Sequence, residues 1–269
     1  MVGVKRNLDL IIKKYNEHSI LNLKSVTLQK NSGMNLLNLI KMKNKSKFFG
    51  LSLFVIGLCL FFVIGCEKEK KEDVGSFTDK RDGNVYNWIT IGDQIWMSEN
   101  LRYLPSVVES DTGSNSTAYY YVYEYNGTDV NAAKATANYT TYGVLYNWSA
   151  ACSSCPTGWH LPTDAEWNEL VDYLGGESGA GGKLKETGTT HWNSPNTATN
   201  ETGFTALPGG ARGNNSGSFC NIGTTCFWWS ATEDGTEDAW GWDVYYSGSH
   251  VYKRIGNKAL GFSVRCIKD

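Results

Sequence analysis

The stretch Cys155–Leu170, "CPTGWHLPTDAEWNEL", holds a thiol, an imidazole and two carboxylates. Cys155, His160, Asp164 and Glu166 are the residue types of a nucleophile with its base, or of a general acid–base pair. Their spacing points elsewhere. Thr163 and Glu166 stand three apart, the spacing of a reciprocal capping box in which hydroxyl and carboxylate each satisfy an orphan amide at a helix start. Trp167, Leu170, Val171 and Leu174 follow at i, i+3, i+4 and i+7 and form one apolar face, which Gly175-Gly176 ends. Asp164 falls in the first turn, where negative charge suits the helix dipole. His160 approaches Pro162 on an extended segment, with no serine or cysteine at a known nucleophile spacing. The stretch therefore reads as the punctuation of a helix, and no catalytic residue is assigned.

The elements around that helix read as short strands and turns. The alternating runs Val85–Ile89 and Gln94–Met97 lie between and after the turn pairs Asp82-Gly83 and Gly92-Asp93, which predicts hairpins from Phe77 onward. Residues 105–140 are polar and read as a long loop with one strand at the aromatic patch "YYYVYEY", 119–125. "GAGGKLKETG", 179–188, is expected to add a second short helix. Beyond it, closely spaced glycines between β-rich pieces predict strands and loops to the end of the chain.

The front of the chain has a different character. Phe48–Gly65 is an uncharged run of 18 residues behind Lys43, Lys45 and Lys47, and it ends in "VIGC" at Cys66. A basic region, an apolar run and a small residue before the cleavage point make a secretory signal. The alternative is a transmembrane anchor, for which the run is about long enough. "VIGC" resembles the bacterial lipobox, which implies a lipidated Cys66 as the first mature residue and residues 42–66 as the signal peptide. Residues 1–41 then precede any use for a signal, which points to a start at Met34 or Met42. "EKEKKED" has no apolar residue, so residues 67–76 read as a charged tether and 77–269 as the folded domain.

The chain has 25 basic and 27 acidic residues; positions 1–66 hold 10 and 2 of them, leaving 15 against 25 and a net charge of −10. Such an acidic domain is a poor partner for nucleic acid. All 10 tryptophans follow residue 66, a load that suits either a Trp-rich core or a surface that stacks on flat ligands. With Cys59 in the leader and Cys66 lipidated, Cys152, Cys155, Cys220, Cys226 and Cys266 remain, which fits two disulfides and one spare thiol. "CSSC" at 152–155 lacks a second pair with knuckle spacing, so no metal and no cofactor are assigned. Between Cys220 and Cys226, "NIGTT" can turn the chain back and bring the two sulfurs together as a structural disulfide.

Six blocks in order, "RDGNVYNWITIGDQIWMSENLRY", "YGVLYNWSAA", "CPTGWHLPTDAEW", "GFTALPGGARGNNSGSF", "WWSAT" and "GFSVRCIKD", resemble the Fibrobacter succinogenes major paralogous domain from about Phe77 to Asp269. That family comprises secreted and lipid-anchored proteins of Bacteroidetes and Fibrobacteres. "LPTDAEW" with a later "GGAR" also resembles the sulfatase-modifying, formylglycine-generating group and its C-type lectin-like fold. The resemblance implies an α+β domain with two helices flanking a twisted antiparallel sheet and chain ends that return close together. It also implies a bridge from Cys155 to Cys266, leaving Cys152 unpaired. The calcium-lectin strings "EPN", "QPD" and "WND" are missing, so calcium-mediated sugar binding of that kind is not expected.

The function expected is a non-catalytic, lipid-anchored binding or adhesion module of the cell envelope, at the outer membrane, with a glycan or surface protein as partner. A structural component of an envelope or secreted assembly is the alternative, and a formylglycine-generating-like oxidoreductase a further one. A ligand site, if present, is expected around Trp192, Arg212, Asn214, Trp229 and Glu233; the competing reading puts both tryptophans in the core and makes Arg212 a bridge between loops.

Overall fold

Asp82-Gly83 and Gly92-Asp93 turn the chain as their residue types require, with Gly83 and Gly92 at φ of +79° and +63°. They join β1 (Val74–Thr78), β2 (Val85–Ile91) and β3 (Gln94–Met97) into two successive antiparallel hairpins. The computed structural model describes residues 73–269 except residue 215. The signal peptide, Cys66 and both alternative start positions lie outside the described residues. The tether boundary needs correction, because Val74–Ser76 already pair with β2 and the fold begins before Phe77.

Two five-stranded sheets carry the domain. The first has the order β1-β2-β3-β12-β6, with β6 (Trp159–His160) and β12 (Ile267–Lys268) completing it. The last strand thus lies inside the sheet that the first strand edges. The second sheet comprises β7 (Gly209–Arg212), β8 (Phe219–Ile222), β9 (Thr225–Glu233), β10 (Asp238–Tyr245) and β11 (Val251–Asn257), in the order β11-β10-β9-β7-β8. Its β7–β9 pair is parallel, so the sheet is not purely antiparallel as expected. A ribbon of β4 (Tyr120–Tyr121) and β5 (Leu145–Tyr146) realises the strand expected in the aromatic patch.

The class is α+β. Five helices occur among the described residues, against the two expected: α1 (Val130–Lys134), α2 (Ala137–Tyr142), α3 (Trp148–Ser154), α4 (Asp164–Tyr173) and α5 (Glu177–Leu184). The first two lie in the segment read as loop, where Asp129 and Thr136 cap them by accepting backbone hydrogen bonds. None of the helices is long and apolar enough to cross a membrane.

α4 forms as the spacing predicts. Thr163 and Glu166 make the complete capping box, and Trp167, Leu170 and Val171 are buried. Trp167 lies 4.8 Å from the ring of Trp96 on β3, 5.5 Å from Trp228 on β9 and 6.1 Å from Trp242 on β10. One side chain of the helix therefore meets both sheets, and truncating it should cost about 3–5 kcal/mol. Six of the tryptophans, Trp96, Trp167, Trp192, Trp228, Trp229 and Trp242, are fully buried, so most of the aromatic load is core. Cys155, at the end of α3, is bonded to Cys266, 111 residues away, with Cα atoms 5.9 Å apart. The bridge ties the approach to α4 to the end of the chain.

Candidate functional site

The stretch with the most chemistry holds itself together. His160 Nε2 lies 2.8 Å from Glu166 Oε1, and its Nδ1 lies 2.7 Å from Asp269 Oδ1. Glu166 Oε2 accepts from the amide and the hydroxyl of Thr163 at 2.7 and 2.8 Å. Burial works against a charged ring, but the bonds to Asp269 and Glu166 outweigh it and raise the His160 pKa. Burial likewise opposes the Glu166 carboxylate, while the Thr163 amide and His160 lower its pKa overall. With both ring nitrogens occupied by carboxylates, His160 is placed as a cationic clamp between the start of α4 and the end of the chain.

The five residues expected to bind ligand do not form one surface. Trp192 is 1% exposed and donates from its indole to the Ala206 carbonyl at 3.0 Å. Trp229 is fully buried in the other main apolar cluster and donates to the Tyr146 carbonyl at 2.8 Å. Neither can offer a stacking face, because packing covers it. Arg212 is buried as well, donating to Ser110 O at 2.7 Å and Ala259 O at 2.8 Å beneath the Tyr121 ring. It bridges loops. Asn214 is half-buried beside this bridge, and the exposed Glu233 carboxylate pairs with the buried Lys258 at 3.2 Å.

The expected Cys220–Cys226 bridge is not formed; both residues are free thiols, as is Cys152. The reason is topological. Cys220 on β8 is opposite Ala211 and Cys226 on β9 is opposite Gly210, so β7 runs between them. "NIGTT" does turn the chain, with Gly223 at φ +76°, but it does not make β8 and β9 direct neighbours in the sheet. Cys226 is buried and Cys220 exposed, and burial raises both thiol pKa values. They do not make a vicinal, activated pair.

An open cleft lies instead at the tip of the β10–β11 hairpin, lined by Tyr245, Ser247, Gly248, His250, Tyr252 and Arg254, with a volume of about 430 Å³. Three of the six exposed large hydrophobic side chains of the described residues stand on this hairpin: Tyr245 at 37%, Tyr252 at 44% and Ile255 at 52%. Tyr245 and Tyr252 meet edge to face at 5.6 Å and 90°, and the His250 ring lies 4.3 Å from Tyr252. Arg254 forms a salt bridge with Asp243, whose side chain is fully buried, and its Nη2 reaches the Tyr245 hydroxyl at 3.4 Å. Burial raises the Asp243 pKa, and the hydrogen bond from Arg254 opposes that rise.

The tip is held from below. Lys185, at the end of α5, is fully buried and donates to the carbonyls of Tyr245, Tyr246 and Gly248 at 2.7, 3.0 and 2.7 Å. Burial pushes its pKa down to about 8, and the three carbonyls favour the charged form. Its ammonium also lies 5.1 Å over the ring of Trp192, which is the part Trp192 plays here. Gly181 lets α5 lie against the turn, since a methyl group there would stand 2.8 Å from the carbonyl oxygen of His250. The signal for this cleft was in the sequence: tyrosines on both sides of "SGS" in a stretch otherwise read only as strands and loops.

The chain has no match among curated proteins and none among solved structures. Residues 89–268 match the model of the Fibrobacter succinogenes major domain, from within β2 through β12, and so take in the second sheet, the cleft and the His160–Glu166 pair, with β1 and Asp269 outside the match. By that match, over well more than half its length, the chain belongs to the Fibrobacter succinogenes major domain family.

Proposed function

We propose that this protein is a non-catalytic binding module of the cell envelope, and that the β10–β11 cleft is where it takes a glycan. The observation that carries this reading is the pair Tyr245–Tyr252: two exposed rings on a hairpin tip that a buried lysine and a close helix contact hold in place. Exposed aromatic faces stack on sugar rings, and a pre-fixed tip lowers the ordering cost of binding. The phenol, hydroxyl and guanidinium groups around the rings supply directional bonds to sugar hydroxyls. Anchoring through a lipidated Cys66 completes the proposal, supported by the lysines, the apolar run and "VIGC". A C-type lectin-like arrangement fits the shared sheet of first and last strands and the Cys155–Cys266 bridge.

A glycan array probed with the wild-type domain and with Tyr252→Ala, each with and without chelator, tests the binding claim. Binding that Tyr252→Ala abolishes and chelator spares is the expected result; no binding, or binding that Tyr252→Ala leaves intact, removes the cleft from the account. For the anchor, mass spectrometry of the mature protein should find diacylglycerol on Cys66 as the first residue, and an unmodified internal Cys66 would overturn it.

A further inference from the structure

Resting on that reading of the cleft, we propose that its ligand is an acidic sugar, with a uronate carboxylate against Arg254 and the sugar ring against Tyr252. Every polar side chain that lines the cleft can donate a hydrogen bond: the Tyr245 and Tyr252 phenols, Ser247, the His250 ring and the Arg254 guanidinium. No carboxylate is among the lining residues. In a chain segment with a net charge of −10, a concave surface without acid groups is a local departure, and it favours a ligand rich in acceptors.

The neighbouring carboxylates hold these donors in place. Asp243 sits directly across from Tyr252 in the strand pairing, is fully buried, and takes Nε of Arg254. Arg254 Nη2 faces the Tyr245 hydroxyl at 3.4 Å, and the centre of the guanidinium lies 5.2 Å over the Phe227 ring. The guanidinium is therefore held through Nε by Asp243, while the Arg254 side chain as a whole stays 35% exposed and lines the cleft. Glu177 stands 3.6 Å from His250 Nε2 at the far end. A guanidinium fixed in this way matches the two oxygens of a planar carboxylate, which a lysine in its place could not do with the same geometry. A sulfate ester presents similar oxygens without that planarity, so uronate is the choice.

The test uses one oligosaccharide in two states. Binding of the domain to an oligogalacturonate and to its fully methyl-esterified form is measured by calorimetry at low salt in the presence of chelator. The acid form should bind at least about 10-fold more tightly, and the preference should shrink as salt is raised. Arg254→Lys keeps a cation beside Asp243, so the fold is retained, and should lose most of the preference. A sulfated oligosaccharide of equal charge should bind more weakly than the uronate. Equal or tighter binding of the ester, an unchanged preference in Arg254→Lys, or stronger binding of the sulfated sugar overturns the inference. If the ester or another neutral glycan binds and needs Tyr252, the acidic ligand is wrong and the glycan cleft stands. If no sugar binds, both fall.

Discussion

The Lys185 ammonium donates a 2.7 Å hydrogen bond to the Tyr245 carbonyl, joining the end of α5 to the tip of β10 through a contact with no carboxylate in it. Two further carbonyls of the same turn complete the cradle. Lys185→Met keeps the stem's volume but leaves these three acceptors without their donor, so it should cost about 1–3 kcal/mol and loosen the turn. Hydrogen exchange should accelerate at residues 246–250 and remain slow in β9. An unchanged rate at the turn would show that Lys185 does not hold it.

The three free cysteines among the described residues differ in access. Cys152 and Cys220 are exposed, while Cys226 is buried. A small thiol reagent should label Cys152 and Cys220 in the native protein, and Cys226 only after unfolding. Burial pushes the Cys152 pKa up to about 11, with Glu233 adding to the rise, so its labelling should be slow at neutral pH. A non-reduced peptide map should contain a Cys155–Cys266 peptide and no Cys220–Cys226 peptide. Replacing both bonded cysteines by alanine should lower stability by roughly 4–5 kcal/mol in the chain-entropy model, given the length of the closed loop.

The His160 clamp should give stability a pH dependence. The histidine pKa is raised in the folded protein, so its contribution is complete below the ordinary value of 6.5 and is lost as pH rises through the raised one. The Glu166 pKa is lowered, so that contribution is complete above the ordinary 4.5 and is lost as pH falls through the lowered value. The clamp is thus strongest from about pH 4.5 to 6.5. His160→Gln should lower the melting temperature within that window and do little at pH 9. An equal loss at both pH values would mean that the ring's packing matters rather than its charge. Because His160 and Asp269 are both well exposed, the effect should be small and should shrink in salt.

Local signals carried much of the fold. The two hairpins were legible in Asp82-Gly83 and Gly92-Asp93, and α4 in Thr163, Glu166 and its apolar face, because each signal lies within a few residues of what it causes. α1 and α2 were missed because helices of five and six residues are too short to show a period. The first strand was missed because "VGSFT" follows a charged run and alternates only weakly. Non-local pairing was the larger gap. Nothing in "CNIGTTC" tells that β7 comes back to lie between its two cysteines, which is why the staple was expected there.

The residues of the expected site are dispersed and mostly buried, and this was illegible for a related reason. Trp192, Arg212 and Trp229 are residue types that bind sugars when exposed and fill cores when covered, and composition alone does not say which. Arg212 and Lys185 are buried cations that donate to backbone carbonyls, Arg212 through Nε and Nη1 only, an arrangement without a sequence signature. The tyrosine pair around "SGS" was visible, but its exposure depends on β11 being the edge strand of its sheet.

The most direct test of the binding cleft is the affinity of the domain for its best array glycan, compared with that of Tyr252→Ala and of Trp240→Ala on the same hairpin. Tyr252→Ala should weaken binding at least about 10-fold, roughly 1.4 kcal/mol, with the melting temperature little changed. Trp240→Ala, outside the cleft lining, should leave affinity unchanged. Undiminished affinity in Tyr252→Ala would contradict the claim that this cleft is where the protein binds.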